Sequence, residues 1–193
     1  MGKSGALALA MGAFLFFASP ADAQHAGEFA LPGADSSFVL AWSEVNGAET
    51  HEYIPRGETV EAWTRMVTVQ RMPWRIGLTP RAILARLSQM MVAACPGATA
   101  TEIAGAPSHD RDGAGVRVTC PKSPSTGKPE IMNARAIQGD ESIALVQAAV
   151  RRTPSAADVA WAASVLDGVT LCSAGAATPR CVVARTAKPG SPL

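Results

Sequence analysis

The sequence predicts an α+β fold: a single antiparallel β-sheet packed with two helices and stapled by disulfides. Three observations carry that expectation. Short apolar or alternating segments are separated by tight-turn signals, two Thr-Pro pairs each open a stretch of helical apolar spacing, and four cysteines follow a segment that reads as an export leader. Tight turns join antiparallel neighbours, because parallel neighbours need crossovers of about a dozen residues or more. With 48% hydrophobic and 17% charged residues in a chain of 193, the composition is that of a globular domain and not of a disordered chain.

Residues 1–23 read as a secretory signal peptide. Lys3 supplies the positive start, Ala6 to Ala18 an uncharged apolar run, and Ala21-Asp22-Ala23 a small-residue cleavage site. The apolar run is shorter than the roughly 20 residues of a membrane-spanning helix, which favours cleavage before Gln24. The expected organisation is therefore a leader, one domain over 24–172 and a C-terminal extension over 173–193, mobile after Cys181. Export places the protein in the periplasm or outside the cell.

Phe38 to Val45 has the β-branching of a strand, Asn46-Gly47 turns it, and His51 to Pro55 returns. Trp63 to Met72 alternates Arg65, Val67, Val69 and Arg71 with Met66, Thr68, Gln70 and Met72, which predicts a strand with one partly wet side. Good helix formers from Glu58 to Arg65 make a helix the competing reading there. Thr79-Pro80 opens a helix with Ile83, Leu84, Leu87, Met91 and Ala94 on one face, ended by Cys95-Pro96-Gly97. Further strands are expected at Thr99 to Ile103, Val116 to Cys120, Glu130 to Ile137 and Ser142 to Val150. The last is so apolar that it reads as central. Thr153-Pro154 repeats the helix-start signal, with Val159, Ala163 and Leu166 as the buried stripe of a second helix ending near Asp167.

Cys95, Cys120, Cys172 and Cys181 are an even set in an exported chain, which favours disulfides; four cysteines allow three pairings, and sequence proximity favours Cys95–Cys120 with Cys172–Cys181. The C-x-x-C pairs of a zinc or thioredoxin-like site are absent.

Catalytic signposts are few. There is no G-x-S-x-G elbow, S-x-x-K, Walker loop or G-x-G-x-x-G opening a helix after a strand, so no cofactor is implied. His25 sits at the expected mature N-terminus. His51-Glu52 and His109-Asp110 lie beside turns without a recognised spacing, and Asp110-Arg111-Asp112-Gly113 lacks the later ligands of a calcium loop. A hydrolase built on Glu52, Glu58 or His51 is the alternative to a non-catalytic role.

Charge is the most informative functional feature. The net charge of +1 argues against a nucleic-acid partner, yet it hides two blocks: Gln24 to Glu61 sums to −6 and Ala62 to Thr101 to +5. Either the blocks pair in the fold, or Arg65, Arg71 and Arg75 gather with Trp63 and Trp74 into a surface for an acidic protein or anionic envelope component. Trp42 and Trp161 fall in segments that read as core and are assigned to packing.

The stretch Glu52-Tyr53-Ile54-Pro55-Arg56-Gly57-Glu58-Thr59-Val60-Glu61-Ala62-Trp63, with Cys95-Pro96-Gly97, Cys120-Pro121 and Gln138-Gly139-Asp140, resembles a pattern in small, uncharacterised exported proteins of proteobacteria. That resemblance implies a Gram-negative envelope setting and carries no catalytic or binding residue with it. The order of elements also looks like the Mog1/PsbP class of α+β domains, a likeness of fold alone. The expectation is an exported, non-catalytic binding or accessory protein of the bacterial envelope, or a purely structural one.

Overall fold

A computed structural model describes residues 27–33, 36–103, 113–173 and 181. The expected leader, His25, the His109-Asp110 pair and the tail after Cys181 lie outside the described residues. Among those described, the order is β1 (Phe29–Leu31), β2 (Phe38–Asn46), β3 (Ala48–Pro55), β4 (Arg65–Pro73), α1 (Pro80–Ala94), β5 (Thr99–Ile103), β6 (Gly113–Cys120), β7 (Glu130–Gln138), β8 (Ser142–Val150), α2 (Ala156–Asp167) and β9 (Thr170–Cys172).

The strands form two sheets, which corrects the single-sheet expectation. Seven are antiparallel in the order β2-β3-β4-β8-β7-β6-β5, while β1 and β9 pair with each other in a separate ribbon. Each ribbon strand has only three residues, too few to show a period of two, and their partners come from opposite ends of the chain.

The helices lie on opposite faces of the large sheet. Ile83 and Leu84 of α1 pack on Val116, Val118, Met132, Ala134, Ala136, Ile143 and Leu145. Ala162, Val165 and Leu166 of α2 pack on Val67, Val69, Ala144, Val146 and Ala148, joined by Ala30 and Phe38. β8 thus feeds Ile143 and Leu145 to one layer and Ala144, Val146 and Ala148 to the other. Its nearly continuous apolar run follows from burial on both faces.

Local signals set the helix ends. Thr79 caps α1 by accepting from the Ala82 amide at 3.2 Å, with Pro80 in the first turn. The segment 58–64, where a helix competed, is loop. The second helix starts later than Thr153-Pro154 indicated, at a capping box in which Ser155 and Asp158 bond each other's backbone amides. Its buried stripe is Asp158, Ala162, Val165 and Leu166, whereas Val159 is exposed. An acid at a buried position had hidden the stripe from a hydrophobic pattern.

Both disulfides take the sequence-adjacent pairing. Cys95–Cys120 ties the end of α1 to the end of β6, and Cys172–Cys181 closes beyond β9 beside Phe29. On a chain-entropy account such staples add about 3 kcal/mol each. They suit an oxidising, non-cytoplasmic compartment, and no helix among the described residues is long and apolar enough to cross a membrane.

Glu28 anchors the ribbon to the large sheet. Its buried carboxylate accepts from the backbone amides of Asp140, Glu141 and Ser142 and from Ser142 Oγ at 2.8–3.3 Å, capping the β7–β8 turn. A Cβ on Gly139 would lie 1.9 Å from Glu28 Oε2. The carboxylate is held by four bonds, so it cannot step aside without leaving buried amides unpaired. Gly139→Ala is expected to cost about 2–4 kcal/mol in urea unfolding, and markedly less in a Glu28→Ala background, where the clash is gone.

Candidate functional site

The five arginine and tryptophan residues singled out by sequence do not come together as a free cationic surface. Trp63 is buried against Ile54 and Met66, with the Arg151 guanidinium stacked 3.7 Å from its ring centroid. Trp74 and Arg75 are exposed, just past the far end of β4. Trp63 and Trp74 therefore flank opposite ends of a nine-residue strand, about 30 Å long. Arg65 and Arg71 share the α2 side of the sheet, and both are neutralised there.

Arg71 Nε donates to Glu49 at 3.1 Å, and His51 Nε2 lies 2.9 Å from the same carboxylate. Burial works to raise Glu49, but the His51 and Arg71 contacts outweigh it and hold the carboxyl below its usual range. This is the cross-strand pairing of acidic and basic blocks, since Glu49 and Arg71 are in register on β3 and β4. Nearby Tyr53 is pushed up to about 12, by burial first and by Glu49 second.

Arg65 takes a partner from much later in the chain. Its Nε and Nη2 donate to Asp158 Oδ1 at 2.9 and 2.6 Å, and its guanidinium lies 5.1 Å from the Trp161 ring centroid. Arg152 adds two donors to Asp158 at 3.1 and 2.7 Å, and Ser155 adds its amide and hydroxyl at 3.0 and 2.9 Å. Asp158 is fully buried, yet Arg152 foremost, with Ser155 and Arg65, holds its carboxyl far below the usual range against the pull of burial.

The residues of the hydrolase alternative also separate. His51 and Glu52 are consecutive in β3, so their side chains leave opposite faces of the sheet. Glu58 instead accepts from Thr64 N and Oγ1, both at 2.7 Å, and so clips its own loop.

What the fold does assemble is a half-open sheet face on the α1 side. One cross-strand row runs Trp42, Glu52, Thr68, Gln147, Ala134, Val116 through β2, β3, β4, β8, β7 and β6. The next row runs Glu44, Thr50, Gln70, Leu145, Ala136. Both turn from polar to apolar where α1, which lies over β5, β6 and β7, begins to cover them. Thr50, Glu52, Thr68, Gln70 and Gln147 remain half-buried, and Gln70 Nε2 donates across strands to Thr50 Oγ1 at 3.2 Å. Burial pushes the Glu52 carboxyl up. Trp63, over Ile54 and Met66, closes one end of this face.

Trp42 is the main surprise of this face. Assigned to packing by sequence, it is 40% exposed, because a register shift between Leu40 and Trp42 turns it onto the open side of a terminal strand. Sequence reasoning also missed Thr68, Gln70 and Gln147; Thr68 and Gln70 showed only as the polar half of the alternation in β4, and Gln147 only as a polar residue inside the apolar run of β8. Among the described residues, no cluster of His, Cys, Asp and Glu is placed to hold a metal ion.

No protein-family model matches the chain, and no curated protein matches it. Among solved structures it is similar to a point mutant of protein Mog1, with a TM-score of 0.44 and 12% identity over 69% of this chain and 82% of that one.

The Asp158 cluster has a pH signature. A carboxyl lowered on folding adds stability that is present above its unfolded value, about 4, and is lost as pH falls below it. Asp158→Asn is expected to cost about 2–4 kcal/mol at neutral pH and to flatten the acid limb of stability followed by circular dichroism.

Proposed function

We propose that this is a non-catalytic binding or accessory protein of an exported compartment of the bacterial envelope, and that the open half of its main sheet is the ligand surface. One observation supports this above the others: the row Glu52, Thr68, Gln147, with the exposed Trp42 at its end, stays polar and half-buried beyond the edge of α1, then becomes apolar beneath the helix. Residues that merely face solvent need neither partial burial nor an exposed tryptophan beside them, whereas a platform that receives another molecule uses both. The disulfides and the leader-like start support the compartment.

The chemistry of this face is recognition. Threonine and glutamine offer donors and acceptors in fixed register on rigid strands, tryptophan offers an apolar plate with one donor, and Glu52 adds an acid. The residues able to serve as acid, base or nucleophile do not converge there, since His51 lies on the other face and Glu58 belongs to a loop.

The reading is tested by comparing what the mature protein retains from an envelope extract of its source cells, identified by mass spectrometry. Trp42→Ala and Thr68→Lys are expected to lose a species that the wild type and a control on the α2 face, Val159→Ala, both keep. All four proteins should melt within a few degrees of one another. Equal retention by all four would rule the face out.

A further inference from the structure

The open face ends at a strand that is itself unfinished. β2 is the terminal strand of the large sheet, nine residues long, and its stretch from Ala41 to Asn46 is exposed throughout. Natural edge strands are blunted by proline, charged side chains (lysine above all), bulges, short length or a cover. β2 has no proline and no lysine, its one charged residue is Glu44, and its register shift is confined to Leu40/Trp42, so Trp42 to Asn46 form an unbroken ladder with Glu52 to Ala48. The opposite edge, β5, has five residues, and its Glu102 is tied to Arg81 of α1 at 2.6 Å. Among the described residues one edge of the sheet is thus short and tied to a helix, the other long and uncovered.

Charge selects what fits that bare edge. From Phe38 to Pro55 the hairpin carries Glu44, Glu49 and Glu52 and no lysine or arginine. Glu49 is answered by Arg71 and His51, whereas Glu44 and Glu52 have no ion-pair partner among the described residues. Both lie on the open face beside Trp42, which is directly opposite Glu52 in the ladder. A cation laid against Trp42 would meet the ring face and have a carboxylate behind it. A second copy of this chain would instead bring two sets of these acids together.

Resting on the open-face reading, we propose that β2 receives an extended peptide segment of a partner protein, basic at alternate positions, as an added eighth strand. Backbone bonds to β2 supply the attachment, while Trp42, Glu44 and Glu52 select lysine or arginine on the open face and Val45, 80% exposed on the other face, takes an apolar neighbour.

The probe is a fluorescein-labelled peptide of alternating lysine and valine, matched to the nine residues of β2 and followed by anisotropy on the mature protein. Backbone N-methylation at every second residue is expected to weaken binding about tenfold or more, and so are Glu44→Lys and Glu52→Lys. Amide exchange should slow in Phe38–Asn46 and not in Thr99–Ile103. Equal binding of the N-methylated peptide, unchanged exchange in β2, or a mature protein that is already a dimer through β2 would overturn the proposal. If the peptide fails while Trp42→Ala still loses its envelope species, strand addition falls and the open-face reading stands; if both fail, both fall.

Discussion

Burial of the central strands on both faces is the constraint from which the rest of this molecule follows. β8 sends Ile143 and Leu145 to one side and Ala144, Val146 and Ala148 to the other, so each face needs its own cover. α1 and α2 supply those covers from opposite sides. Neither helix is wide enough for seven strands, and α1 sits over the β5–β7 half, so on its side the β2–β4 half is left without a helix among the described residues, with Trp63 covering only the end at Ile54 and Met66. Polar residues in that half and apolar residues under the helix are two expressions of one packing geometry.

Two buried carboxylates hold the layers in place, and each does so over a long stretch of chain. Glu28 joins the terminal ribbon to the β7–β8 turn, and Asp158 joins α2 to β4 and to the β8–α2 connection. A buried carboxylate is tolerated only when its oxygens are filled with donors, and both are. That requirement gives the ties their specificity. A displaced ribbon or a rotated α2 would leave a charge buried without partners, which costs far more than a displaced apolar contact. The disulfides act more locally, tying element ends across sequence separations of 25 and 9 residues.

The same charges explain why composition left an arginine surface open beside the pairing of the two blocks. Six negative and five positive net charges in successive segments suggest either pairing or display, and nothing local chooses between them. Arg71 proved to be paired with an acid on the neighbouring strand, as segment order allowed. Arg65 turned to Asp158, an acid outside the acidic block altogether. With those two satisfied, the remaining unanswered charge on the large sheet includes Glu44 and Glu52, which shifts attention from an anionic partner to a basic one. Trp42 moved the same way, from presumed core to exposed platform.

Sequence alone determined what depends on neighbours along the chain: the strands from Phe38 to Val150, the cap at Thr79-Pro80, the tight turn after Asn46 and the central character of Ser142–Val150. These rest on side-chain periodicity, backbone preference and short loop closure, all of which act within a dozen or so residues. Tertiary structure decided the rest. It paired Phe29–Leu31 with Thr170–Cys172, hid an aspartate within the stripe of α2, set the two helices on opposite faces and exposed Trp42. It also placed Glu52, Thr68 and Gln147 in one row, although they are far apart in sequence. Periodicity shows that a strand has two faces but not which of them a helix will cover, and that choice of cover is what made one half of this sheet a core and the other a surface.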